Sequence, residues 1–195
     1  TLYLKNLQQH EEQQIVANVQ QVIATNGAFV MYRKDDALYS WLRGEHIQIP
    51  ALQVESAALS FDGQYIAMFA LEHSERHLYV YDIALGILQN MTDMLGEMIG
   101  YDDLPLQEKH TEIPAWTETN AFYFLVTANE EVRLYYGDLY GTLLPASPEE
   151  QKIYSYTIAK SGNWAVIAIK NIQNDNNLLS LNITDGRFLE INVEQ

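Results

Sequence analysis

The side chains best suited to chemistry gather in one stretch, Met94 to His110, which carries Glu97, Asp102, Asp103, Glu108 and His110. Adjacent carboxylates and an imidazole can hold a divalent cation through oxygen and nitrogen. The spacing does not match the calcium loop, in which oxygen ligands alternate ahead of a glycine. Asp102, Asp103 and His110 are therefore candidate ligand-binding residues, and no residue is assigned to a resident metal. A second group, Glu72, His73, Glu75, Arg76 and His77, would align its two histidines only on a helix. It reads instead as a surface turn between strands. His10 and His46 stand alone and read as exposed polar residues. Ser60 and Ser161 fall in turns outside any G-x-S-x-G elbow. Cysteine is absent, and the ten glycines never form a G-x-G-x-x-G phosphate loop. A glycosidase-type carboxylate pair is spatial rather than sequential, so 26 acidic residues single out none. No catalytic residue and no cofactor is assigned.

The elements that must position these residues repeat. One phrase, a short apolar strand ending in a polar turn, occurs five times: Leu2–Leu7, Leu38–Gly44, Leu78–Gly86, Leu134–Gly141 and Leu178–Gly186. Ahead of the last four lies a second element, two apolar strands around a tight turn. Its copies are Val22–Val30, Ala58–Ala67, Pro114–Phe124 and Thr157–Val166. Asn-Gly, Asp-Gly, Asn and Ser-Gly take equivalent turn positions, because short hairpin loops need a positive φ that Gly and Asn tolerate. The turn residues Gly27, Gly63, Asn120 and Gly162 lie 36, 57 and 42 positions apart. A period near forty with four strands per unit is the signature of a β-propeller blade. The long interval marks 94–110 as an insertion.

The reading is thus an all-β propeller of four-stranded antiparallel blades. Blades fall at 18–50, 51–93, 111–148 and 149–195, with a partial blade at 1–17. The outer strands are expected at Gln14–Ala17, Ile47–Ile49, Ile87–Asn90, Thr142–Leu144 and Phe188–Val193. About four and a half blades leave the ring incomplete. Either preceding sequence has been removed, as Thr1 in place of Met suggests, or another chain covers the open edge. Such an edge invites a protein partner or self-association. Trp41, Trp116 and Trp164 read as packing between blades. Trp116 is also the best candidate for a ring-lined ligand pocket, since its strand should line the central channel.

Composition narrows the partners. The formal net charge of −15 opposes nucleic acid and anionic membrane surfaces. It serves solubility, or in a sharper reading attracts a cationic partner or metal. No apolar run approaches the ~18 residues that span a bilayer, so this segment is not expected to insert in a membrane.

Ser60-Phe61-Asp62-Gly63-Gln64-Tyr65-Ile66-Ala67, followed by His77-Leu78-Tyr79-Val80-Tyr81-Asp82-Ile83 and Gly86, resembles the TolB-like (WD40-like) propeller repeat. That family shows Ser-Pro-Asp-Gly, an apolar strand, then Leu-Tyr-Val-x-Asp ending in Gly. Phe61 replaces the usual proline, and the other copies are looser. The resemblance implies a non-enzymatic recognition module, as in periplasmic interaction proteins and sensor domains, and so a periplasmic or extracellular setting over a cytoplasmic one. The alternative it implies is the substrate-gating propeller of prolyl-oligopeptidase-like serine peptidases, whose hydrolase domain is not in this chain. A lyase of the oligogalacturonate type, with histidine-held metal, draws little support from scattered single histidines.

Overall fold

The structure is a computed structural model and describes residues 1–6, 11–26, 29–50, 53–73, 75–92, 114–128, 131–147, 152–170 and 176–191. The chain divides into two compact units, Thr1–Gln53 and Val54–Gln195. Both are built of antiparallel strands. In the first unit, β1 (Leu2–Asn6) and β2 (Glu11–Val16) form a two-stranded sheet. A four-stranded meander follows: β3 (Gln21–Asn26), β4 (Phe29–Lys34), β5 (Ala37–Leu42) and β6 (Glu45–Ile49).

The second unit begins with the blade β7 (Gln53–Leu59), β8 (Tyr65–Glu72), β9 (Glu75–Asp82) and β10 (Ile87–Asn90). Next come β11 (Ala115–Trp116), β12 (Phe122–Ala128), β13 (Glu131–Gly137) and β14 (Leu143–Pro145). The last blade is β15 (Lys152–Ile158), β16 (Trp164–Lys170), β17 (Asn176–Asn182) and β18 (Arg187–Ile191). A single parallel bridge, Val132 to Lys152, joins these two blades into one larger sheet. The propeller-blade architecture expected from the repeats is present, with each outer strand within a few residues of its expected place. Among the described residues, no helix is long and apolar enough to cross a membrane.

Burial explains the sequence pattern. The second strands β4 and β8 are covered on both faces, so they read as continuous apolar runs rather than alternations. Phe29 to Tyr32 in β4 and Ile66 to Ala70 in β8 are buried without a break. The outer strand β10 alternates exposed and half-buried residues. In the first unit, Leu2, Ile15, Val16 and Val19 pack on Val30, Tyr32 and Trp41, so the β1–β2 pair lies against the next blade. In the second unit, one core holds Phe69, Leu78, Trp116, Phe122 and Phe124 between its first two blades. Another holds Tyr123, Leu134, Ile153, Ile167 and Leu181 between its last two.

Two of these blades share an edge device. The third strand's leucine N–H has no ladder partner where the outer strand ends, and a hydroxyl supplies one. Leu78 donates to Thr92 Oγ1 at 3.1 Å, and Leu134 to Ser147 Oγ at 3.0 Å. Both hydroxyl residues are buried. Without them a buried amide would be left unpaired.

Candidate binding face

In an antiparallel meander the first-to-second and third-to-fourth turns fall at the same end. In the Val54–Gln195 unit this brings residues 60–65, 82–87, 117–122, 137–143, 159–164 and 182–187 to one face. The first-to-second turns are built alike. Gly63 N–H donates to Ser60 O at 3.0 Å, Asn120 N–H to Thr117 O at 3.2 Å, and Gly162 N–H to Ala159 O at 2.8 Å. Gly63, Asn120 and Gly162 take φ of 73°, 58° and 77°, the left-handed conformation expected of these positions.

Side chains then lock one turn to the next. Asp62 accepts from Ser60 Oγ at 2.7 Å and from Gln64 N–H at 3.0 Å. Its other oxygen accepts from Asn120 Nδ2 in the next blade at 2.7 Å. Burial alone would raise the Asp62 carboxyl. The Ser60, Asn120 and Gln64 donors outweigh it and hold the group below its ordinary value. Glu118 N–H donates to Lys160 O at 2.9 Å, linking the second turn to the third. Tyr123 OH donates to Gly162 O at 3.1 Å, and Tyr156 OH to Tyr123 O at 2.9 Å. Burial, then neighbouring Tyr136, push the Tyr123 phenol up to about 12. The Lys160 ammonium lies 5.6 Å from the Phe61 ring centre, so the first and third turns also meet.

Apolar side chains stand out from this face. Phe61 is 52% exposed, Leu85 70%, Tyr140 95% and Trp164 41%. Phe61 is the residue that departs from the Ser-Pro-Asp-Gly pattern. Tyr140 is not loose: its N–H and that of Thr142 both donate to Asp138 Oδ1 at 2.9 Å.

Trp164, expected to pack between blades, is instead one of these exposed residues. Trp116 is buried; its Nε1 donates to Ala58 O at 3.0 Å, and its ring meets Phe122 edge-on at 5.2 Å. Asp102, Asp103 and His110 lie outside the described residues, as do Glu97, Glu108 and His10. Among the described residues, no three His, Asp or Glu side chains gather closely enough to hold a metal ion. His46 accompanies Tyr32, with Nδ1 2.6 Å from the phenol oxygen.

The histidine cluster of the β8–β9 turn brings another correction. His73 does sit exposed in the β8–β9 turn, but His77 is a buried residue of β9. The strand begins at Glu75, and its residues His77 to Tyr81 are buried without a break. Its Nδ1 is 3.2 Å from Thr92 Oγ1. That hydroxyl also donates to Asn90 Oδ1 at 2.8 Å. Asn90 Nδ2 continues to Tyr79 OH, which donates to Glu72.

No family model and no curated protein matches the chain. Solved structures do. A protein of Agrobacterium tumefaciens assigned as a TolB is 13% identical, with a TM-score of 0.59 over 97% of this chain and 68% of that one. The β-propeller domain of the Trilobed protease of Pyrococcus furiosus, described as having an open velcro topology, is 14% identical. Its TM-score is 0.56 over 96% of this chain and 60% of that one. The acylaminoacyl peptidase of Pyrococcus horikoshii is 14% identical, with a TM-score of 0.62 over 98% of this chain and 30% of that one. The chain thus spans less than two thirds of either protease structure. Likeness at this identity concerns the fold alone, and that fold is the β-propeller.

Proposed function

We propose that the chain is a non-enzymatic recognition module that binds a protein or a small ligand, as the sensor or interaction domain of a larger protein. One observation carries this reading. Ser60, Asp62, Asn120 and Asp138 of the turn face are occupied in fixing the turns, while Phe61, Leu85, Tyr140 and Trp164 project from them. Exposed aromatic side chains on a rigid backbone lose little freedom on contact, which favours binding.

The test is an assay of the purified chain against peptidyl p-nitroanilides and nitrophenyl esters, run beside a peptide-array binding screen. We expect no turnover, and saturable binding that is lost when Phe61 and Tyr140 are both changed to Ser. Turnover abolished by a single substitution would overturn the reading.

A second reading is the substrate-gating propeller of a prolyl-oligopeptidase-like serine peptidase. Its support is the likeness to the Pyrococcus horikoshii acylaminoacyl peptidase, of which the chain spans 30%. A hydrolase domain in the same polypeptide would favour it; a DNA-binding domain and membrane span would favour the sensor.

A further inference from the structure

We infer that the partner docked on the turn face of the Val54–Gln195 unit is a cationic peptide segment carrying apolar side chains, an inference that rests on the recognition reading. The charged residues of the six turn segments are all described. Asp62, Asp82, Glu118, Asp138 and Asp185 are acidic, against Lys160 and Arg187. The two cations are already engaged: Lys160 lies over the Phe61 ring, and Arg187 Nε is 3.6 Å from an Asp185 oxygen. The face therefore presents net negative charge around exposed aromatic rings.

Four of these five acids are held in place by donors of the turns. Asp82 Oδ1 accepts from Leu85 N–H at 2.9 Å, Asp138 from Tyr140 and Thr142, and Asp185 from Arg187 N–H at 3.0 Å. Asp62 is held by three donors. A neutral hydrogen bond fixes a carboxylate without cancelling its charge. An acidic segment would meet uncompensated repulsion, while a basic one meets complementary potential. Lys160 shows that the Phe61 ring accepts an ammonium group over its face. Tyr140 and Leu85 supply exposed apolar surface, and Tyr and Arg are enriched among the residues that dominate interface energetics in general.

A protein of net charge −15 attracts any polycation, so the experiment must separate this face from diffuse attraction. The probe is a Gly-Ser peptide bearing three Lys-Leu pairs, with Glu-Leu and Ser-Leu counterparts, titrated calorimetrically into the whole chain. The Lys peptide is expected to bind, and the Glu peptide not. Tyr140→Ser and Phe61→Ser should each lower affinity about tenfold without moving the thermal midpoint. Tyr140→Ser is safe for folding, since that side chain is 95% exposed. Glu118→Lys should weaken binding, whereas Glu72→Lys, at the β8–β9 end of the same unit, should not. Equal weakening by the two charge reversals, or unchanged affinity in both serine variants, would mean diffuse attraction and overturn the inference. Binding of the Glu or Ser peptide through Tyr140 and Phe61 would overturn it while preserving the recognition reading. Binding of none of the three would overturn both.

Discussion

Single residues set tight conditions at a few positions. Gly137 closes β13, and a Cβ there would fall 2.4 Å from Phe122 Cε2 and 3.0 Å from Leu143 Cδ2. Phe122 is wholly buried, so its ring cannot withdraw without disturbing the core. Gly137→Ala is expected to destabilise the unit by about 1–3 kcal/mol in urea unfolding, the usual cost of overpacking. Asp62 makes a prediction of another kind. Its carboxyl is held below the ordinary 3.8 in the folded chain. A depressed carboxyl contributes stability that is complete above the unfolded value and is lost as pH falls through the folded one. Acid unfolding of Asp62→Asn should therefore lose less stability below pH 3.8 than the parent chain does. Equal acid sensitivity would show that Asp62 contributes nothing through its charge.

At the scale of the element, the strands were legible and their joints were not. The turn formers at 63, 120 and 162 could be read because a positive φ limits the residue types allowed, and the hairpins around them are present. What local pattern cannot reveal is a pair of residues 58 positions apart, such as Asp62 with Asn120 or Ala58 with Trp116. Trp116 could be placed on an inner strand from the repeat, but not the face into which its ring turns. His77 was misplaced because the polar cluster around it resembles a loop, while the strand already begins at Glu75. Asp102, Asp103 and His110 fall outside the described residues. The hydroxyl device did leave a faint signal: Thr92 and Ser147 follow the repeat leucines Leu78 and Leu134 by 14 and 13 positions. Thr92→Val and Ser147→Ala should each destabilise by about 1–3 kcal/mol, since a buried amide loses its acceptor. Thr92→Ser should restore most of that loss. Full stability of both apolar variants in urea unfolding would show that the hydroxyls are dispensable.

On the scale of the whole molecule, we propose two surfaces for partners. One is the edge of the two-stranded β1–β2 sheet. The other blades here have four strands, so we propose that a partner strand or a second copy adds at that edge. Light scattering should then detect association that grows with salt, as the −15 charge is screened. A salt-independent monomer of high thermal midpoint would contradict the proposal.

The other surface is the turn face, and the account depends on its turns being fixed to one another across blades. The most direct test is a double-mutant cycle between Asp62 and Asn120 in urea unfolding, using Asp62→Ala, Asn120→Ala and the double variant. A 2.7 Å bond to a carboxylate joining two blades predicts a favourable coupling of about 1 kcal/mol. Additive effects, with a coupling indistinguishable from zero, would mean the blades are not locked there and would contradict the platform on which recognition is proposed.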